Sequence, residues 1–192
     1  MNGPAGRLRI AVVDSGISGE VVGGIDLCGG NDLRDHLGHG TIVATSILTQ
    51  APWIEIFAVK IFDRDLQAPA TRLTEAFVWC AEQHMDLVNL SVGAVGEFES
   101  VPAPGMTVVA PAGSCPAVGS ALIAVEGSAL HRGAPLQLRP GVFRASVYPP
   151  PMPGRTAARD AFGVSFAVAN VTAHLALLRG QGRPPTPQSW SR

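Results

Sequence analysis

The stretch Leu8-Arg9-Ile10-Ala11-Val12-Val13-Asp14-Ser15-Gly16 decides how the rest of the chain is read. Residues 8–13 are a short, mostly apolar, partly β-branched run, the pattern of a strand buried on both faces in a parallel sheet. Asp14-Ser15-Gly16 supplies a turn signal directly after it. In open α/β sheets ligands bind beyond the carboxyl ends of the strands, so Asp14 stands where a site carboxylate would stand. An Asx turn or a cap is the alternative for Asp14 taken alone.

Outward from this run, residues 54–60, 86–91, 106–110 and 121–125 read as further strands. Residues 71–84 read as a helix with Leu73, Phe77, Val78, Cys80 and Ala81 among polar residues, and a second helix follows Gly38-His39-Gly40. Alternating strands and helices predict an α/β fold of three layers, a mostly parallel central sheet with helices on both faces. Residues 23–38, rich in Gly and Asp, read as a surface loop. Residues 94–105, with prolines and glycines, leave room for only a very short crossover helix, and residues 132–159 read as loop or hairpin. One domain is expected over residues 1–179, followed by a loosely attached Pro-rich tail over 180–192.

A chain of 192 residues with 46% hydrophobic and 15% charged residues has enough apolar surface for one compact core. Its net charge of −1 and the lack of any Lys/Arg run argue against nucleic acid or a membrane surface as partner and favour a peptide or small molecule. Cys28, Cys80 and Cys115 are widely spaced and form no C-x-x-C pair, so neither a disulfide framework nor a zinc site is indicated; no metal and no cofactor is expected. A reducing, cytoplasmic setting is expected. The first nine residues hold no signal-peptide core, and no uninterrupted apolar stretch is long enough to span a membrane.

Residues 161–178, which include Gly163-Val164-Ser165-Phe166-Ala167, read as a helix of small and apolar residues buried on nearly all sides. Ser165 sits at its start, where unpaired N–H groups and the helix dipole favour a developing negative charge. A serine that merely starts a helix is the alternative. His39 lies between two glycines at another helix start, a setting that leaves the imidazole open to a second chain, with His36 as a nearby rival. Together Asp14, His39 and Ser165 supply the residue types of nucleophilic acyl transfer: an attacking hydroxyl, a base, and a carboxylate that orients the base.

The order Asp, His, Ser resembles that of the subtilisin-like serine proteases. Val12-Val13-Asp14-Ser15-Gly16-Ile17 is similar to the family's aspartate motif, Gly38-His39-Gly40-Thr41 with Val43-Ala44 to its histidine motif, and Gly163-Val164-Ser165-Phe166-Ala167 to its serine motif. Asp86-Leu87-Val88-Asn89-Leu90-Ser91-Val92-Gly93 resembles the substrate-pairing strand, and Val108-Val109-Ala110-Pro111-Ala112-Gly113 the segment before the oxyanion residue. The resemblance spans roughly residues 8–178. It implies that Ser165 attacks, His39 accepts its proton and Asp14 orients His39. It also implies that Ser114, standing where the family usually has asparagine, helps hold the oxyanion with the Ser165 N–H. Asp35 falls beside the implied substrate cleft, Ser91, Val92 and Gly93 would pair with an extended substrate, and Ala112 and Gly113 would wall its pocket with Ala94.

Some features depart from the family. Val164 replaces the usual threonine, and Ala169-Asn170 replaces a proline-histidine pair, a change expected to bear on how the buried helix begins. The chain is short, its loops trimmed, with no evident prodomain or calcium-binding insertion. Glu97 and Glu99 either rim the cleft or belong to a solvated loop. The expected activity is a serine endopeptidase acting on a peptide or protein substrate, with a precursor or leader peptide of natural-product maturation as the specific candidate and proteins of that biosynthetic pathway as partners. Two alternatives stand beside it: a weak or inactive fold that binds a peptide or partner, and a nucleophilic Cys115, near which the sequence supplies no base.

Overall fold

The computed structural model of the protein describes residues 7–91, 105–113, 122–131, 133–151 and 162–181. Its centre is β1 (Arg9–Asp14), flanked in parallel by β3 (Glu55–Lys60) and β4 (Leu87–Leu90). Register runs from Arg9 opposite Glu55 to Asp14 opposite Lys60. On one side β2 (Gly23–Asp26) joins β3; on the other, β5 (Thr107–Pro111), β6 (Leu122–Ser128) and β8 (Val142–Ser146) continue the parallel sheet. The strand β7 (Leu136–Arg139) pairs antiparallel with β8, giving the order β2-β3-β1-β4-β5-β6-β8-β7.

Successive side chains of a strand point to opposite faces, and the unbroken apolar runs feed two cores. Ile10, Val12, Ile56, Ala58, Leu87 and Val109 lie under α1 (His39–Gln50) and α3 (Val164–Gly180). Ala11, Val13, Phe57, Val59, Val88 and Val108 lie under α2 (Ala70–Glu82), which offers Leu73, Ala76, Phe77 and Cys80. The result is the expected three-layer α/β fold. Among the described residues no helix is long and apolar enough to cross a membrane.

Residues 23–26, expected to be loop, instead form an edge strand. All four are half-buried and hold their place by pairing with β3 rather than by an apolar run. The hairpin within residues 132–159 is present as β7 and β8, and β8 is also a full parallel member of the central sheet. Helix α3 is buried from Phe166 through Ala173 and again at Leu175 and Ala176, and it extends to Gly180, just past the expected domain boundary. Its Asn170 does more than shape the helix start. The amide Nδ2 donates to the carbonyls of Ser146 and Tyr148, both at 3.1 Å, and Oδ1 accepts from Gln50 Nε2 at 3.0 Å, tying α3 to the end of β8 and to α1.

Candidate active site

Asp14 ends β1 and is fully buried. Its Oδ1 accepts the N–H of Ser15 at 2.7 Å, and its Oδ1 and Oδ2 face Nδ1 of His39 at 2.8 and 3.0 Å. A buried carboxylate on Nδ1 holds the proton there and leaves Nε2 free to accept one.

Local sequence explains how close this pair stands. His39 is the first residue of α1, preceded by Gly38 with a left-handed backbone, φ 81°. Gly40 follows, and a Cβ at that position would lie 2.3 Å from the Gly16 carbonyl oxygen and 3.1 Å from Asp14 Cβ. Only a bare backbone lets the first turn of α1 press against the end of β1. Burial alone would pull the pKa of His39 down; the hydrogen bond and charge of Asp14, with the charge of Asp35, outweigh it and raise the pKa above its ordinary value.

The third residue arrives on the other helix. The His39 ring lies against Phe166, with ring centroids 5.8 Å apart and planes at 45°. Phe166 follows Ser165 in the first turn of α3, and Ser165 is half-buried there. Backbone N–H groups of a first helical turn have no intrahelical partner, so the Ser165 N–H is a donor suited to an oxyanion. Among the described residues, the hydrogen bonds of the His39 ring run to Asp14 and none joins it to the Ser165 hydroxyl. In substrate-free sites such contacts are commonly long and tighten on binding.

Asp35, expected beside the substrate cleft, is occupied by the scaffold. Its Oδ1 accepts from Ser15 Oγ at 2.8 Å and from the backbone of Leu37 and Gly38 at 3.0 and 2.8 Å. Its Oδ2 accepts from the backbone and hydroxyl of Thr41 at 2.8 and 2.7 Å. Burial would raise its pKa, but the bonds from Thr41, Ser15 and Gly38 hold it below the usual carboxylate value. His36, the rival histidine, is exposed and stands 3.3 Å from Asp32 and 3.4 Å from Asp63, so it has no part in the Asp14 cluster.

Ser91 follows β4 and is buried, its Oγ accepting from Asn89 Nδ2 at 2.9 Å; Asn89 Oδ1 in turn accepts from Thr172 Oγ1 of α3 at 3.0 Å. Its side chain therefore faces inward, and any pairing with substrate falls to the backbone. Ala112 and Gly113 follow β5 and are exposed, and the Ala112 N–H is held by the Val125 carbonyl at 2.9 Å. Val92, Gly93, Ala94, Glu97, Glu99, Ser114 and Cys115 lie outside the described residues.

Sequence reasoning overlooked Ser15, Thr41 and Lys60. The first two stand inside the quoted motifs, and a signal for Lys60 was its place at the end of an apolar strand. The Lys60 ammonium is buried and donates to the carbonyls of Asp32 and Arg34 at 3.2 and 3.0 Å, pinning the loop that leads to His39.

Comparisons with known proteins bear on the family and the fold. The Subtilase family profile matches residues 7–134. Subtilisin BL of Lederbergia lenta is 28% identical over 135 residues, covering 63% of this chain and 48% of that protein. A thermostable alkaline protease of Halalkalibacterium halodurans is 29% identical over 100 residues, covering 45% and 28% respectively. The chain thus spans less than half the length of these curated relatives. Among solved structures, the prenylagaramide maturation protease PagA superposes with a TM-score of 0.63 at 19% identity over 94% of this chain and 80% of its own. The nisin leader peptidase NisP from Lactococcus lactis superposes with a TM-score of 0.62 at 16% identity over 97% and 81%. These structural likenesses speak to the fold, and the profile match across two thirds of the chain settles its descent: this protein belongs to the subtilase family.

Proposed function

We propose that this protein is a serine endopeptidase in which Ser165 is the nucleophile, His39 the general base and Asp14 the group that orients His39. The observation that carries the reading is the buried Asp14 carboxylate bonded to His39 Nδ1 at 2.8 and 3.0 Å, with His39 packed against the first turn of the helix that bears Ser165. Ser165 Oγ bonds to the carbonyl carbon of the scissile peptide as His39 Nε2 takes the hydroxyl proton. The tetrahedral oxyanion lies at the Ser165 N–H and, by the family resemblance, the Ser114 hydroxyl. Collapse breaks the C–N bond, His39 gives its proton to the leaving amine, and water repeats the cycle on the acyl-enzyme to release the acid.

A dedicated precursor or leader peptide is the substrate class we favour. Its support is that a prenylagaramide maturation protease, a lanthipeptide protease and a nisin leader peptidase share this fold over nearly the whole chain. Proteins of the same biosynthetic pathway, in the cytoplasm, are the partners this reading implies.

A fluorophosphonate probe tests the chemistry without knowledge of the substrate. Wild type is expected to label, and Ser165→Ala and His39→Ala to lose labelling; a folded wild type that stays unlabelled overturns the reading. Mass spectrometry of precursor peptides is expected to show one cut at a leader boundary. Scattered cuts across unrelated peptides would overturn the dedicated substrate.

A further inference from the structure

Behind the Asp14–His39 pair stands a second carboxylate joined to it by one hydroxyl. Ser15 Oγ lies 2.8 Å from Asp35 Oδ1 and 3.1 Å from Asp14 Oδ1, and it accepts the Gly40 N–H at 3.0 Å. Ser15 is fully buried, so no solvent competes for its proton. A serine hydroxyl carries a single proton and can serve one carboxylate well at a time. The shorter distance gives that proton to Asp35. Asp14 Oδ1 then keeps its capacity for the Ser15 N–H and for His39 Nδ1.

We propose that Asp35 is a positioning residue, which draws the Ser15 hydroxyl away from Asp14 and so keeps the charge of Asp14 committed to His39. The proposal rests on reading His39 as the base. Without Asp35 the hydroxyl turns to Asp14 Oδ1, adding a donor to a carboxylate that must also hold the imidazole. A hydrogen bond to the charged form of Asp14 weakens its pull on the His39 proton. The same aspartate holds the first turn of α1 through the Thr41 and Gly38 N–H groups, so one side chain sets both the place of His39 and the charge it meets. Among the described residues, the charges facing His39 are Asp14 from β1 and Asp35 from the loop before α1; α3 presents the uncharged Phe166.

The test is the titration midpoint of the His39 imidazole, followed by NMR in wild type, Asp35→Asn, Ser15→Ala and the double variant, with folding checked by circular dichroism. Asp35→Asn is expected to move the midpoint to lower pH. Adding Ser15→Ala to it is expected to move the midpoint part of the way back, because no hydroxyl remains to turn on Asp14. A merely structural Asp35 gives no such recovery, and a double variant at or below Asp35→Asn overturns the proposal.

Ser15→Ala alone is expected to leave the midpoint nearly unchanged, and this variant decides the matter if Asp35→Asn does not fold. An upward shift would show that Ser15 serves Asp14 in the native protein and would overturn the proposal. The titration needs no activity. A wild type that fails to react with the fluorophosphonate therefore sinks the protease reading alone, while wrong midpoints sink this one alone.

Discussion

Around Asp14 and His39 hydrogen bonds do the positioning. Ser15, Asp35, Gly38, Gly40 and Thr41 are joined by side-chain bonds of 2.7 to 3.0 Å within two short segments of chain. Helix α3, which brings Ser165, is seated by burial of Phe166, Ala167, Val168, Ala169, Val171 and Ala173, with polar ties at Asn170 and Thr172. The difference teaches how each half can fail. A hydrogen-bonded cluster fixes direction and is sensitive to a single donor, whereas a close-packed helix moves as one body and is sensitive to volume.

The largest effects should come from the groups proposed to react. Removing Ser165 or His39 is expected to cut peptide turnover by about 10⁶-fold, and Asp14→Asn by about 10⁴-fold, the scales of loss in kcat known for serine-protease triads. Comparable losses for all three would mean that the two halves act as one unit; an active Asp14→Asn would break the comparison, because the bonded half would then contribute nothing.

Gly40→Ala attacks the junction of that half with the sheet. Its Cβ meets the Gly16 carbonyl and the Asp14 side chain, so we expect about 1 to 3 kcal/mol of lost stability and labelling slowed by about 10²-fold. Thermal unfolding and labelling rates check both numbers. Thr172→Val attacks the packed half. It removes the buried hydroxyl that stands between Asn89 Oδ1 and the Val168 carbonyl and should cost about 1 to 3 kcal/mol, with the acid limb of the labelling profile unmoved. If that limb moves, the two halves are coupled more closely than their bonding suggests.

The smallest effect concerns pH. The pKa of His39 is raised on folding from an ordinary value of 6.5. Its stabilising contribution is therefore complete below the unfolded value and is lost as pH rises through the folded one. The stability gap between wild type and His39→Ala should shrink as pH climbs from below 6.5 through the raised folded value. Labelling should rise over the same window, because the base must be neutral to accept a proton.

Continuous apolar runs made β1, β3, β4, β5 and β6 legible, and the glycine-flanked histidine marked the start of α1. Strand β2 was hidden because Gly23-Gly24-Ile25-Asp26 carries one large apolar residue, and its order comes from backbone pairing with β3. Asp14 and His39 could be named as types, yet only the fold shows them bonded, since β1 and the loop before α1 meet through tertiary packing. The occupation of Asp35 was illegible for the same reason. Five donors from Ser15, Leu37, Gly38 and Thr41 converge on it, and no spacing rule encodes that.

The sheet order also has a consequence in time. Ile10 must find both Ile56 and Leu87 before the central strands exist, and parallel pairings between distant residues form slowly. Helix α3 rests on α1, β4, β5, β6 and β8 together, so the surface that receives it is complete only after those elements have assembled. Docking of α3 on that surface is therefore expected to bring Ser165 to His39 late in folding. On the function proposed above, a half-folded chain would hold Ser165 apart from His39, so proteolysis would begin only once the fold is complete.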